Sequence, residues 1–175
     1  MIDAETHYRR AVEAAEIGQW DAALDALGQT VQANGVHQGA LVGRGILLAR
    51  QGYIEDATAD LTQAIDLGSR LADTHTYRGV LWARQGETGR AVQDWTAASL
   101  LSPNFPLPRY NRGMLSWMQG EPEKAKADFE AACILGFAPA CLSLLDLETR
   151  WPCCPPGVPI RTPHPIPPSA ISPAP

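Results

Sequence analysis

Apolar residues recur along this chain at three- and four-residue steps, as in Ala57, Leu61, Ala64 and Ile65. That spacing lays one apolar stripe along a helix, and no stretch alternates apolar and polar positions as a half-buried strand does. The stripes come in pairs with short breaks between them. They predict first helices near 5–17, 38–51, 72–85 and 107–119, and second helices near 21–33, 55–67, 89–101 and 123–135. One further stripe, Ala138, Cys141, Leu142 and Leu145, faces the polar Ser143, Asp146, Glu148 and Arg150. It predicts a single closing helix over about 138–150, with Leu144 and Leu147 widening its apolar side.

The paired helices repeat. Gly18, Gly52, Gly86 and Gly120 stand 34 residues apart, as do Ala23, Ala57, Ala91 and Ala125. Four windows therefore align without a gap: 4–37, 38–71, 72–105 and 106–139. The fifteenth-place glycine suits the positive φ that a residue past a helix end often needs. The eighth place holds Ala11, Gly45, Gly79 and Gly113, small enough for two helix backbones to approach. The twenty-fourth holds the large Leu27, Leu61, Trp95 and Phe129, and the twenty-seventh the small Thr30, Ala64, Ala98 and Ala132. Pro103 marks the end of the third unit's second helix. Arg at the seventh place accompanies Asp at the twenty-third in three windows: Arg44 with Asp60, Arg78 with Asp94, Arg112 with Asp128. A charge-assisted contact inside each of those units is expected; the first unit keeps Arg10 but has Ala26.

Over residues 4–139 this pattern resembles the tetratricopeptide repeat family, whose unit is a 34-residue helix–turn–helix. The resemblance implies an all-α solenoid of four hairpins, closed by the helix near 138–150, as one domain over 1–150. A terminal unit has one neighbour only, and the first departs most from the pattern. In this family the first helices line the concave face, which implies a peptide-binding groove. Its residues here would be Tyr8, Val12 and Glu16; Val42, Ile46 and Arg50; Thr76, Val80 and Arg84; and Tyr110, Asn111, Met114, Trp117 and Met118. Val12, Ile46, Val80 and Met114 recur at the repeat spacing, and Arg50 and Arg84 form a matching pair. Aromatic, Met and Arg side chains anchor interfaces, although an apolar stripe of this spacing also serves as plain core. The expected partner is an extended or helical peptide, apolar and carrying an acidic group. Family members that grip chaperone tails use Lys and Asn at set groove places. Those places hold Tyr8, Val12, Gly43, Asp73 and Tyr77 here, so that clamp is missing. Small relatives in bacterial secretion systems imply the alternative role, a dedicated chaperone for a secreted or aggregation-prone client.

Composition narrows the function further. The chain has 175 residues, a net charge of −5 and 19% charged residues, which disfavours nucleic acid as a partner. No apolar run reaches the roughly 18 residues of a membrane span. The opening segment carries Asp3, Glu5, Arg9, Arg10, Glu13 and Glu16 instead of an apolar secretory core, so a cytoplasmic protein is expected. Phosphate-loop and nucleophile-elbow motifs are absent, and Gly43-Arg44-Gly45 lies inside a helical repeat. His7, His37, His75 and His164 have no metal-ligand spacing. Neither an enzyme, a cofactor nor a metal site is expected. From Pro152 to Pro175 ten prolines fall in 24 residues, which predicts a separate Pro-rich, disordered tail over 151–175, with a Pro165-x-x-Pro168 step. Cys133 and Cys141 bracket a segment that resembles a Sel1-like repeat boundary, which implies a disulfide. A reducing cytosol favours two packed thiols instead. The tail's Cys153 and Cys154 have no second pair to complete a metal site.

Overall fold

The computed structural model describes residues 3–150. Among them it forms helices and no strand: α1 Ala4–Glu16, α2 Trp20–Ala33, α3 Gln38–Gln51, α4 Ile54–Asp66, α5 Ala72–Arg84, α6 Thr88–Leu101, α7 Leu107–Met118, α8 Pro122–Ile134 and α9 Ala138–Arg150. The expected Pro-rich tail, its Pro165-x-x-Pro168 step and Cys153–Cys154 lie outside the described residues.

Each helix packs against the one before it and the one after it, α1 on α2 through to α8 on α9. The hairpins α1–α2, α3–α4, α5–α6 and α7–α8 thus stack in one row. First helices also approach each other directly, α3 with α5 and α5 with α7. That closer spacing puts the first helices on the inside of the curve.

Glycine sets the turn of each hairpin and, in the last three, the contact as well. Gly18, Gly52, Gly86 and Gly120 close the first helices at φ 75°, 91°, 81° and 76°, a region that side-chain-bearing residues rarely adopt. Inside the hairpins the eighth-place glycines lie against the large twenty-fourth-place side chains. A Cβ at Gly45 would stand 3.0 Å from Leu61 Cγ, at Gly79 2.6 Å from Trp95 Nε1, and at Gly113 2.8 Å from Phe129 Cδ1. The Trp95 indole N–H donates to the Thr76 carbonyl at 3.2 Å, so the ring is oriented as well as buried.

The three expected Arg–Asp contacts form, and each is two-pronged. Arg44 Nε and Nη2 donate to Asp60 at 2.7 and 2.7 Å, Arg78 to Asp94 at 2.8 and 2.8 Å, and Arg112 to Asp128 at 2.8 and 2.6 Å. The carboxylates are almost wholly buried. A third guanidinium nitrogen crosses to the preceding hairpin: Arg78 Nη1 donates to Thr62 Oγ1 at 3.4 Å and Arg112 Nη1 to Thr96 Oγ1 at 2.8 Å. Gly28 stands at the matching place of the first repeat and offers Arg44 no such hydroxyl. Asp94 also meets His75 Nδ1 at 2.9 Å.

The closing helix departs from expectation in two ways. Its buried side is Ala140 and Leu147, with Leu144 packed beside them, whereas Leu142 and Leu145 of the expected stripe are 64% and 58% exposed. The chain leaves α8 through Gly136 at φ 83° and enters α9 three residues after Leu135, at Ala138. That turn is shorter than the other turns between hairpins, so α9 sits in the slot of a fifth first helix but two residues early. Leu147 takes the buried place held earlier by Leu47 and Leu81. In that register Leu145 stands where Gly45, Gly79 and Gly113 stand. A leucine there carries the bulk that the glycines of the earlier first helices lack. Second, Cys133 and Cys141 form a disulfide that ties α8 to α9, instead of two packed thiols.

The buried two-pronged ion pair makes a specific demand. A double-mutant cycle on Arg78 and Asp94, read by urea unfolding, should return a coupling of about 1–3 kcal/mol. A value near zero would mean that the pair is only solvated. Burial alone would raise the Asp94 carboxyl, but hydrogen bonds from His75 and Arg78, with their charges, hold it below its ordinary 3.8. Its stabilising contribution is therefore complete above pH 3.8 and lost as the pH falls below it. The Asp94→Asn variant should lose less stability than wild type over that acid range.

Candidate functional site

The inner face is built from one stripe per first helix. On α5 the steps Asp73, Tyr77, Val80 and Arg84 advance by four, three and four residues, so all four side chains lie on one side of the helix. The equivalent stripe on α3 is Gly39, Gly43, Ile46 and Arg50, and on α7 Leu107, Asn111, Met114 and Met118. Because the hairpins stack in register, these stripes lie side by side.

The structure distributes the expected groove residues unevenly. Arg50, Arg84 and Met118 are exposed, as are Val12 and Glu16 on α1. Ile46, Val80 and Met114 are half-buried and carry on the apolar band begun by Val12. Tyr8 is half-buried against the His37 ring, 4.5 Å between centroids. Tyr110 stacks with Phe129 and Phe137 at 5.8 and 5.0 Å, and Trp117 packs into the same C-terminal cluster. These two rings belong more to the closure of the last hairpin than to an open surface.

Val42, Thr76 and Asn111 are buried and present little to a ligand. Val42 and Thr76 sit one residue before the stripe, which turns them into the junction with neighbouring helices. Val42 packs with Leu41, Ala57 and Leu61. The Thr76 hydroxyl donates to the Ala72 carbonyl at 2.7 Å, while its own carbonyl receives Trp95. Asn111 is on the stripe, but the packing around α7 covers it.

Two residues outside the expected groove set join the face. Tyr77 lies at the centre of the α5 stripe. Its phenol is pushed up to about 12, first by burial and then by the Asp73 carboxylate, against a lowering by Arg50. It therefore stays a neutral donor at physiological pH. Partial burial also raises the Asp73 carboxyl. The second residue is Trp20 at the start of α2, whose ring lies 4.1 Å beneath the Arg50 guanidinium. A stacked guanidinium keeps its in-plane N–H groups free for a carboxylate, and stacking holds it in place. A four-residue step from Asp73 and a seven-residue step from Arg84 lead to Tyr77 in the sequence. Nothing in the sequence alone brings Trp20 to Arg50, since they sit on different hairpins.

The electrostatics favour an anion along one edge. Among the described residues no carboxylate is within ion-pair distance of Arg50 or Arg84, whereas Arg44, Arg78 and Arg112 are each paired. No group of three or more His, Cys, Asp or Glu side chains among them is placed to hold a metal ion. No helix among them is long and apolar enough to cross a membrane.

No protein-family model matches the chain, and no curated protein matches it. Solved structures do. A MamA protein superposes with a TM-score of 0.74 at 20% identity, over 83% of this chain and 81% of that one. YrrB, described as a tetratricopeptide-repeat protein with an unusual peptide-binding site, gives 0.71 at 18% identity, over 84% and 77%. The first tetratricopeptide-repeat domain of Spaghetti, solved with the HSP90 peptide SRMEEVD, gives 0.63 at 17% identity, over 67% and 94%. These likenesses show the tetratricopeptide-repeat fold.

The position of Tyr77 can be read by titration. Of the four tyrosines, one should ionise near pH 12 in the folded protein, and Tyr77→Phe should remove that step from the ultraviolet titration curve. The unfolded phenol ionises near 10, so the folded state should lose stability as the pH rises from about 10 towards 12. A curve in which all four tyrosines titrate together near 10 would place Tyr77 in water.

Proposed function

We propose that the protein is a non-catalytic interaction scaffold that binds another protein's peptide segment on the inner face of the row. The observation that carries this reading is the pair Arg50 and Arg84. They stand one repeat apart, exposed and, among the described residues, without a carboxylate partner, beside the apolar band of Val12, Ile46, Val80 and Met114. Elsewhere in the repeats, the buried arginines are matched to aspartates. Two arginines left unmatched on the same edge suit a ligand that brings its own carboxylates.

The ligand is then apolar along one side and acidic along the adjoining one. The apolar band supplies burial, at roughly 25 cal/mol per Å² of apolar surface covered. The arginines supply orientation and a faster encounter more than raw affinity. The scaffold is formed beforehand by the packed hairpins, so binding needs little backbone movement. The likeness to YrrB and to the Spaghetti domain, both described with peptides, supports the reading at the level of the fold.

A pull-down from the protein's own source tests it. Wild type and the Arg50→Glu/Arg84→Glu variant should return different partner sets, with acidic apolar partners lost from the variant. Identical sets would remove the inner face from consideration.

A further inference from the structure

We infer that the occupant of the inner face is an amphipathic helix lying along the row, apolar on a seven-residue repeat, with carboxylates on one flank and cationic groups on the other. This rests on the groove reading above and narrows its ligand.

The first observation is the order of residues across the face. On α5 the stripe runs from Asp73 through Tyr77 and Val80 to Arg84. The first helices lie parallel, so equivalent places form bands that cross them. One band, at the first turns, holds Asp73 and also Glu5, which is 3.5 Å from His37. The middle band is Val12, Ile46, Val80 and Met114. The opposite band, at the last turns, holds Glu16, Arg50, Arg84 and Met118, so its positive charge lies on α3 and α5. Across α3 and α5 the outer edges carry opposite charge, Asp73 against Arg50 and Arg84, with the apolar band between them.

The second observation is width. Asp73 and Arg84 are eleven residues apart on one helix, about 16 Å at 1.5 Å per residue. A helix with its side chains is about 10–12 Å across. It therefore spans the apolar band and reaches both charged edges at once. An extended strand presents side chains alternately to opposite sides and reaches one edge only when its apolar side chains face the band.

The third is the step along the row. First helices that touch, as α3 and α5 do, lie about 8–10 Å apart. Seven residues of helix advance about 10 Å. Successive band residues such as Ile46 and Val80 therefore meet ligand residues one heptad apart, all on the same helical side. The same step on a strand is about three residues, which point to opposite sides.

Charge also assigns the flanks. The carboxylate flank faces Arg50, which is held over Trp20, and Arg84. The cationic flank faces Asp73, near the Tyr77 hydroxyl.

Calorimetric titration of the full chain with three synthetic three-heptad peptides tests the inference. One peptide has leucine on a heptad stripe, glutamates on one flank and lysines on the other. The second has lysines on both flanks. The third has the composition of the first, with prolines placed so that no helix forms. Wild type should bind the first peptide at least about tenfold more tightly than either of the others. Arg50→Glu/Arg84→Glu makes both edges acidic, so it should prefer the second peptide, and that reversal also shows that the variant is folded. If the proline-broken peptide binds wild type as tightly as the first and loses affinity to the variant, the helix is overturned and the groove stands. Equal binding of the first peptide to wild type and variant, or no binding of any peptide to wild type, overturns both.

Discussion

The second, third and fourth hairpins each close on a place where a side chain has no room. At Gly45, Gly79 and Gly113 the second helix comes so near that a single added carbon would meet Leu61, Trp95 or Phe129 at 3.0 Å or less. That approach fixes how far apart the two helices lie, and hence how each hairpin offers itself to the next. The inner face follows from it. Stripes on α3, α5 and α7 become neighbours because their three hairpins share this internal contact. At α9 the equivalent place carries Leu145 instead of a glycine.

The ion pairs act on the same joint from another side. A two-pronged guanidinium–carboxylate contact has a strict geometry, so Arg78 and Asp94 hold α5 and α6 at one rotation as well as one distance. Burial makes such a pair costly to break more than favourable to form. Its value here is specificity of arrangement, extended by Arg78 to Thr62 and by Arg112 to Thr96 on the preceding hairpins. The first repeat lacks this apparatus. Arg10 has Ala26 where an aspartate would stand, and it remains exposed. A terminal unit with one neighbour tolerates that looseness.

Much of this was legible in the residues. A period of 34 gave the hairpins, their glycine turns and their Arg–Asp pairs, because each is a local or same-unit relation at fixed spacing. Features that depend on contact between units were harder to read. Val42 and Thr76 stand one residue from the inner stripe, an angle of about 100° on a helix, and only the packed neighbour decides that they turn inward to the junction. The covering side of α9 is hard to read for a similar reason. Its apolar residues surround most of the helix, and the short turn after Gly136 selects Ala140 and Leu147 over Leu142 and Leu145. The Trp20–Arg50 stack joins two units and carries no mark in either. The disulfide between Cys133 and Cys141 depends on that same turn.

The close approach inside a hairpin is tested most directly by a cycle between Gly79 and Trp95. Gly79→Ala should cost about 1–3 kcal/mol in the wild-type background, measured by urea unfolding, because the added carbon meets the indole. In a Trp95→Val background, where the ring is gone, most of that cost should vanish. An equal penalty in both backgrounds would contradict the packing on which the inner face depends.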